Sequence, residues 1–387
     1  MNIAFYLGAF QEREVGGGYV FQKTVVDELI KYDFESKVHL YYKSNENLFD
    51  NIKNLKFINL KYDKDYIVHK IIKKILFRTK KQKIRSLDNV LCRDKIHLIY
   101  FISPIGEPPN SVPYILTVWD LAHKKHTYFP EVSNNGDFER RESYYNNAVQ
   151  KASFVVIGNE VGREELCKYY KMDLHRIKIN PMPTPDYVYT KKADEIILDT
   201  YKLKNEKYLF YPAQFWAHKN HIRLLKAMRK LKDNGFKMVF TGSDRGNANY
   251  IKQKIKDFGL ENVVVNIGFV TQEEIIALYK NAFALTYASW FGPDNIPPLE
   301  AMALHCPVLC SNFEGAREQF GECVLYFDRT DETTIIEAIK KLENLSFKQE
   351  LTQKAYLLAK ERQIKNYVIN MIKIIEEFEV IRECWGQ

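Results

Sequence analysis

Cysteines are few in this chain, and long apolar runs are missing. The six cysteines of the 387 residues are scattered, unlike the framework of a disulfide-stapled secreted domain. Cys306 and Cys310 lack partners at zinc-ligand spacing, so we expect buried thiols in a reducing compartment. No apolar stretch approaches the roughly 20 residues that span a bilayer. The first ten residues read as a strand and not as a secretory h-region, so we expect a cytoplasmic protein.

Acidic residues are missing from residues 66–87, which contain eight Lys and Arg residues among apolar residues at helical spacing. This pattern is typical of an amphipathic helix on an anionic membrane surface, or of a surface that attracts an acidic ligand. A solvated basic face over an ordinary core stripe fits equally well. Nucleic acid is not expected as a partner, because no recognisable binding module accompanies the charge.

What the chain does contain is a regular alternation of apolar runs and helical segments. Hydrophobic residues make up 46% of the chain and charged residues 27%, which is typical of a globular protein long enough for two domains. Strand-like runs cover residues 2–8, 38–43, 55–60, 96–103, 114–120, 153–159 and 177–183 in the first half. In the second half they cover 208–213, 237–242, 263–268, 282–288, 307–312 and 323–328. Strands separated by helices predict parallel, doubly wound sheets.

The alternation predicts an α/β protein with two Rossmann-like domains in series and a cleft between them. A proline-rich break at residues 181–186 marks the end of the first domain. We therefore expect an N-terminal domain over 1–185, a linker over 186–206 and a C-terminal domain over 207–362. The final helical segment, 363–387, could pack back on the N-terminal domain.

Residues 291–302 combine a polar loop, a helix start and a carboxylate. They follow an apolar run that reads as a buried parallel strand, and Pro297 and Pro298 stand where a helix can begin. A strand, loop and helix in this order leave backbone N–H groups free to bind an anion. Glu300 falls in the first turn, at the sheet edge where open α/β sheets bind ligands.

Three further positions could face the cleft. Lys219 would sit near a helix N-terminus, where a cation is unfavourable unless an anion shares the site, although by itself it could simply be a surface lysine. Asp120 ends a strand of the first half and could accept a substrate hydroxyl or merely cap the next turn. The glycine run at residues 16–18 could leave amides free for a ligand, although it is not the G-x-G-x-x-G fingerprint and a flexible turn is equally consistent. No metal site is predicted, because the D-x-D at residues 63–65 reads as a solvated loop.

Residues 211–227, 268–303 and 316–328 resemble the retaining GT-B glycosyltransferases of family four, the group 1 type. In the first half the likeness rests on the glycines at 16–18, on residues 117–121 and on Pro130 with the helix after it. The resemblance implies a GT-B fold, in which two Rossmann-like domains face a central cleft. It also implies a nucleoside-diphosphate sugar bound mainly to the C-terminal domain and an acceptor bound to the N-terminal one.

The resemblance further implies a role for each matching residue. Lys219 would pair with the diphosphate, Glu300 would hydrogen-bond the ribose, and amides near Asn295 and Ile296 would bind phosphate and sugar oxygens. The expected catalytic residues are Lys219 and Asp120. The expected donor-binding residues are Gly17, Gly18, Gln214, Lys219, Gly268, Phe269, Asp294, Asn295, Ile296 and Glu300. No cofactor or metal is expected, because fixed positive charge and oriented amides can stabilise a leaving diphosphate.

The sequence departs from the family pattern at several positions of the expected site. Gln214 stands where the family often has an arginine, and Trp119 stands where it often has a histidine. A glutamate usually found about eight residues before Glu300 is missing. Residues 293–296 look like a three-residue insertion, from which Asp294 or Asn295 could make the sugar contacts of that glutamate.

We therefore predict a retaining, metal-independent, hexosyltransferase-like enzyme. It would move a sugar from a UDP- or GDP-sugar to a glycan or lipid-linked glycan acceptor in cell-surface polysaccharide synthesis. Residues 66–87 could hold it at the inner face of the cytoplasmic membrane. Two alternatives stay open: a non-catalytic nucleotide- or glycan-binding relative that acts as a partner subunit, and another enzyme on the same scaffold, such as a sugar-nucleotide epimerase.

Overall fold

The computed structural model contains two parallel β-sheets, one in each half of the chain. The structure describes residues 1–9, 17–35, 37–45, 48–51, 54–64, 67, 86–292 and 294–385. Thirteen strands fall within these ranges, seven in the first sheet and six in the second. The predicted α/β class, with two Rossmann-like doubly wound domains, is confirmed.

The first sheet has the strand order β3-β2-β1-β4-β5-β6-β7, and neighbouring strands pair in parallel. Its order reverses between β1 and β4, where Ile3 pairs with Leu98. The strands are β1 (Ile3–Ala9), β2 (Val38–Lys43), β3 (Leu55–Asn59), β4 (Leu98–Phe101), β5 (Tyr114–Thr117), β6 (Phe154–Ile157) and β7 (Ile177–Ile179). The described helices of this part are Gly17–Lys31, Ser86–Arg93, Ala122–Lys125, Pro130–Ser133, Asp137–Lys151 and Glu160–Tyr170.

The second sheet repeats this order as β10-β9-β8-β11-β12-β13 and reverses between β8 and β11. Its strands are β8 (Lys207–Pro212), β9 (Phe236–Thr241), β10 (Val264–Gly268), β11 (Ala284–Tyr287), β12 (Val308–Ser311) and β13 (Leu325–Phe327). Its helices are His221–Leu231, Ala248–Asp257, Gln272–Asn281, Ile296–Ala303, Ala316–Phe320, Glu332–Leu342 and Leu345–Glu361. Two short helices, Tyr187–Thr190 and Ile196–Thr200, lie between the sheets in the chain.

Helices on both faces explain why the strands are continuous apolar runs and not alternating ones. All four residues of β6 are buried, and so are all four residues of β11 and of β12. Parallel sheets covered on both sides require this composition. Every strand-like run of the sequence corresponds to one of these strands, but most strands end earlier because the chain turns into the loops of the cleft. The helix Leu345–Glu361 was not predicted.

The last helix, Ile364–Arg382, packs on the first sheet's helix Gly17–Lys31. The chain crosses back at Thr184, whose amide donates to the Arg362 carbonyl over 2.8 Å. The rings of Phe21 and Tyr367 meet edge to face at 5.5 Å. The final helix therefore completes the hydrophobic core of the N-terminal sheet and ties both ends of the chain to it.

Two sequence predictions concern features away from the cleft. Cys306 and Cys310 are buried, as predicted, and burial raises the pKa of Cys306 to about 12. No helix in the described ranges is both long and apolar enough to cross a bilayer. Of the basic segment 66–87, all but residues 67, 86 and 87 lie outside the described residues, so its membrane role stays a prediction.

Shortening a core side chain of the final helix should destabilise the N-terminal sheet. Met371 is fully buried, so Met371→Ala should cost about 2–5 kcal/mol, because it leaves a cavity. The measurement is the urea midpoint of the unfolding transition. Lys373→Ala, an exposed change on the same helix, is the control and should shift the midpoint little. Equal shifts for both variants would contradict the assignment of this helix to the core.

Candidate active site

A cleft of about 810 Å³ lies where the carboxyl ends of the two sheets face each other. In the second sheet, β8 and β11 adjoin at the point where strand order reverses, so the loops after these strands diverge and leave a crevice. Lys219 follows β8, and the loop to Glu300 follows β11. The cleft brings together every sequence-predicted site residue: Gly17, Gly18, Asp120, Gln214, Lys219, Gly268, Phe269, Asp294, Asn295, Ile296 and Glu300.

Lys219 is half-buried at the floor of the cleft. It ends the short turn Ala217–Lys219, directly before the helix that begins at His221. Its Nζ donates to the Tyr287 hydroxyl over 3.1 Å and to Ser289 Oγ over 3.4 Å. Both partners are neutral, so these bonds hold the ammonium group in place without neutralising its charge.

Burial gives Lys219 an unusual protonation equilibrium. Loss of hydration lowers the pKa of Lys219 to about 8, although the carboxylates of Asp120 and Glu131 act to raise it. A buried cation with only distant counter-charges is costly, and a bound anion removes that cost. The lysine is therefore a candidate partner for an anionic group of a ligand.

Tyr287 connects Lys219 to the loop after β11. The Tyr287 hydroxyl accepts from Lys219 and donates to Asn295 Oδ1 over 2.5 Å. The side-chain nitrogen of Asn295 donates in turn to the Gly292 carbonyl. This chain of bonds sets the position of the loop relative to the lysine. Nothing in the sequence marked Tyr287 as a site residue, because it reads as the last residue of a buried strand.

Glu300 is buried in the helix Ile296–Ala303, with 6% of its surface exposed, and still lines the cleft. Its Oε2 accepts from the Tyr279 hydroxyl over 2.9 Å, and the Tyr187 hydroxyl is a second donor. Burial raises the pKa of Glu300, and these two hydroxyls act to lower it. The carboxylate is thus held by two tyrosines and keeps acceptor capacity for a ligand hydroxyl.

Few backbone amides are free at the start of this helix. The Asn295 amide donates to Gln319 Oε1 over 3.1 Å, so it is already occupied in this structure. Pro297 and Pro298 have no N–H group. Among the first three helical residues, Ile296 is therefore the one whose amide could meet a phosphate or sugar oxygen.

Asp294 lies at the contact between the two domains. Its carboxylate accepts the Met182 amide over 2.5 Å and the Gln319 side-chain amide over 2.6 Å. Burial raises the pKa of Asp294 to about 6, against the lowering effect of Arg362. Gly158 lies so close to Asp294 that a Cβ atom added to the glycine would be 2.4 Å from the carboxylate. These bonds use only part of the acceptor capacity of the carboxylate, and Asp294 lines the cleft, so the hypothesis that it replaces the missing glutamate stays a prediction.

Asp120 faces the cleft from the N-terminal domain. One carboxylate oxygen accepts from the Arg141 guanidinium and, over 2.9 Å, from the Ala122 amide. Burial raises the pKa of Asp120, but Arg141 outweighs that effect and holds it below its usual range. Asp120 therefore does cap the following turn, and it presents a fixed anion of low basicity to the cleft.

The remaining predicted residues border the cleft. Gln214 accepts from the Trp216 indole over 3.0 Å and donates to Ser243 Oγ over 3.4 Å. Gly268 has φ +82°, which favours glycine, and the neighbouring Phe269 is 54% exposed at the cleft edge. A Cβ on Gly17 would lie 4.0 Å from the Ile296 side chain, so the first domain's glycines stand opposite the second domain's helix start. Gly16 lies outside the described residues.

An aromatic contact between the domains closes one end of the cleft. The Phe291 ring stacks on His126 of the first domain at 4.7 Å and on His218 of the second at 4.3 Å. Phe129 packs against His218, Phe291 and Trp290. No sequence pattern predicts this contact, because its members lie far apart in the chain.

In the described part of the chain, no group of three His, Cys, Asp or Glu side chains is placed to hold a metal ion. Metal independence stays a prediction.

Comparison with known proteins finds similarity to a family over part of the chain. Residues 193–361 match the family model described as Glycosyl transferases group 1. The chain is 27% identical over 198 residues to the O-antigen chain mannosyltransferase RfbU of Salmonella typhimurium, a match that covers 51% of this chain and 53% of that protein. It is 23% identical over 255 residues to the O-antigen chain mannosyltransferase B of Escherichia coli, covering 64% of this chain and 67% of that protein. The match thus spans about half the length of the first relative.

Similarity to solved structures extends over nearly the whole chain. The Anabaena protein Alr3699/HepE, solved in complex with UDP and glucose, aligns with a TM-score of 0.68 and 13% identity. The alignment covers 97% of this chain and 100% of that one. At this identity the likeness shows the fold, which is the GT-B arrangement of two Rossmann-like domains.

The pKa of Lys219 should be about 8, well below the value of 10.5 for an ordinary lysine. Competitive acetylation of lysines between pH 6 and 11, followed by mass spectrometry, measures this directly. Lys254 is the internal control, because its exposed side chain pairs with Asp257, which raises its pKa above 10.5. In Asp120→Asn the titration midpoint of Lys219 should lie at a lower pH than in the unmodified protein, because a carboxylate that favours the charged lysine is lost. A midpoint near that of Lys254 would contradict the buried placement of Lys219.

Proposed function

We propose that this protein, whose residues 193–361 form a group 1 glycosyltransferase domain, is a retaining and metal-independent glycosyltransferase. It would transfer a sugar from a UDP- or GDP-sugar to a glycan or lipid-linked glycan acceptor in cell-surface polysaccharide synthesis. One observation carries the proposal: a half-buried lysine and a buried glutamate line one cleft, at the strand ends where open α/β sheets bind ligands.

Lys219 would bind the diphosphate of the donor. The leaving group in this reaction is a nucleoside diphosphate, and negative charge develops on it as the glycosidic bond to the sugar breaks. A cation already oriented by Tyr287 and Ser289 can stabilise that charge without reorganisation. Diphosphate binding would also favour the protonated lysine, since burial alone lowers its pKa to about 8.

Glu300 would bind the ribose hydroxyls of the nucleotide. Its carboxylate is positioned by Tyr187 and Tyr279, which use only part of its acceptor capacity. The Ile296 amide, at the start of the same helix, would meet a phosphate or sugar oxygen. One helix would thus contact two parts of the donor.

Asp120 would hydrogen-bond a hydroxyl of the reacting sugars. Its carboxylate is bonded to Arg141 and has a lowered pKa, so it suits accepting a hydrogen bond better than removing a proton. No side chain is therefore assigned as a nucleophile. The departing phosphate would assist attack from the same face of the sugar, which retains the anomeric configuration.

The acceptor and the cellular location are inferred from the relatives' names and from the sequence. RfbU and mannosyltransferase B are named for O-antigen chains, which are cell-surface polysaccharides. A glycan or lipid-linked glycan acceptor bound on the N-terminal domain fits those names. A cytoplasmic enzyme held at an anionic membrane surface through residues 66–87 would have access to a lipid-linked acceptor.

A non-catalytic partner subunit is the second candidate, and Gln214 is the observation that favours it. Its side chain is bonded to Trp216 and Ser243 and adds no positive charge beside Lys219. Such a protein would bind nucleotides without turning over a donor.

Removal of the lysine should abolish most activity. Lys219→Ala should lower kcat/KM by about 10²–10³-fold, as loss of one preorganised charge donor does. The assay is donor consumption with a panel of UDP- and GDP-sugars, chosen first by thermal shift with the free nucleotides. Lys230→Ala, an exposed lysine on the helix that follows, is the matched control and should leave activity unchanged. Nucleotide binding without turnover by the unmodified protein would favour the partner subunit, and a product formed without acceptor would favour an epimerase.

Glu300 should contribute to binding only when the nucleotide carries ribose hydroxyls. We expect Glu300→Gln to weaken binding of the ribonucleoside diphosphate about tenfold, because a charged acceptor is replaced by a neutral one. The 2′,3′-dideoxy analogue should bind both proteins with nearly equal affinity. Isothermal titration calorimetry of both nucleotides with both proteins measures the four affinities that this comparison needs. Equal losses for both nucleotides would assign Glu300 a structural role instead.

A further inference from the structure

We infer that Glu131 of the N-terminal domain is a positioning residue for Lys219, acting through the backbone and ring of His218. The inference rests on the proposed function, in which Lys219 binds the donor diphosphate. It adds a residue outside the donor-binding domain and predicts that the first domain sets the geometry of the donor site in the second.

The contact itself is short and twofold. Glu131 Oε1 accepts the His218 backbone amide over 2.8 Å, and it also contacts the Nδ1 atom of the same residue. Because His218 directly precedes Lys219, the carboxylate bonds to the chain one residue before the lysine. The Glu131 side chain is only 6% exposed, and that of His218 is 12% exposed. A buried, doubly bonded carboxylate defines the position of its partner much more closely than a surface ion pair does.

The rest of the turn is restrained from several sides. The Lys219 carbonyl accepts from the Tyr211 hydroxyl over 2.8 Å, and the His218 carbonyl accepts from the Trp290 amide over 2.7 Å. The His218 ring stacks on Phe291. These bonds come from the C-terminal domain, whereas Glu131 comes from the other domain. The lysine's backbone is therefore held within its own domain on one side and by the N-terminal domain on the other.

Glu131 also contributes charge. The charged groups that act on Lys219 are the carboxylates of Asp120 and Glu131, both from the N-terminal domain, and both favour the protonated lysine. On the lysine's own segment, burial lowers the pKa of His218 to about 4 and that of His221 to about 3, so both are neutral near pH 7. The hydroxyl of Tyr287 faces the lysine from β11 and is neutral. Replacing Glu131 by a neutral residue therefore removes one of two groups that keep the lysine charged.

Glu131→Ala and Glu131→Gln separate the two contributions. The alanine removes the acceptor of the His218 amide, and we expect nucleoside-diphosphate affinity at pH 7 to fall about tenfold. The glutamine keeps an acceptor, so affinity at pH 7 should return to within about threefold of the unmodified protein. Affinity for UDP or GDP, whichever binds, is measured by titration calorimetry between pH 6.5 and 9.5. The alkaline loss of affinity should move to lower pH in Glu131→Gln, since Lys219 then loses its proton earlier.

A mutant cycle with Lys219→Ala tests whether Glu131 acts through the lysine. In the Lys219→Ala background, Glu131→Ala should change nucleotide affinity little, because the group that it positions is gone. The inference would be overturned if Glu131→Ala changed nucleotide affinity equally with and without Lys219. It would also be overturned if Glu131→Gln lost affinity at the same alkaline pH as the unmodified protein. If the unmodified protein binds no nucleotide at all, the proposed function fails first, which is a distinguishable result.

Glu318→Gln is the matched control. Glu318 Oε1 accepts the Glu160 backbone amide across the same domain interface over 2.7 Å, but it is not among the groups that act on Lys219. Its substitution should leave both nucleotide affinity and the alkaline limb unchanged. If it reproduced the Glu131→Gln profile, a general loosening of the interface would explain the data and the positioning role would be wrong.

Discussion

Phe291 stacks between two imidazole rings, one from each domain, and the geometry of the cleft depends on this contact. Burial lowers the pKa of both His126 and His218 to about 4, so both rings are neutral near pH 7 and stack without a charge penalty. Phe291 lies in the loop that leads to Glu300, and His218 directly precedes Lys219. A single aromatic contact thus joins the segments that carry Lys219 and Glu300 to the N-terminal domain.

The charges of the cleft are arranged around one buried cation. Lys219 lies where hydration is poor and is bonded to two neutral hydroxyls, and the carboxylates of Asp120 and Glu131 act on it from the N-terminal domain. Asp120 is bonded to Arg141, and Glu131 is bonded to His218, so neither neutralises the lysine directly. The carboxyl ends of two parallel sheets supply this arrangement, because loops that leave adjacent strands in opposite directions open a crevice between them. Such a cleft is suited to an anionic ligand.

Much of the fold could be predicted from local pattern. Each strand of the two sheets is covered on both faces, so its residues form an apolar run that stands out between helical segments. The helix Leu345–Glu361 was not predicted, because its many charged residues obscure the apolar stripe. Within the site, Lys219 and Glu300 could be predicted because each stands beside a strand-to-helix junction. Tyr187, Tyr279 and Tyr287 could not, because a buried tyrosine reads the same whether its hydroxyl meets a catalytic side chain or a carbonyl.

From the sequence alone follow the two doubly wound domains and the placement of Lys219 and Glu300 beside strand-to-helix junctions at the carboxyl edge of a sheet. Those features follow from local periodicity and from residue types at chain junctions. How the two halves meet is visible only in the folded molecule, where Glu131 bonds to the turn before Lys219 and Asp294 bonds to the Met182 amide. These contacts join residues roughly 90 to 110 positions apart. No local pattern encodes such a pairing, because it depends on how two finished sheets pack against each other.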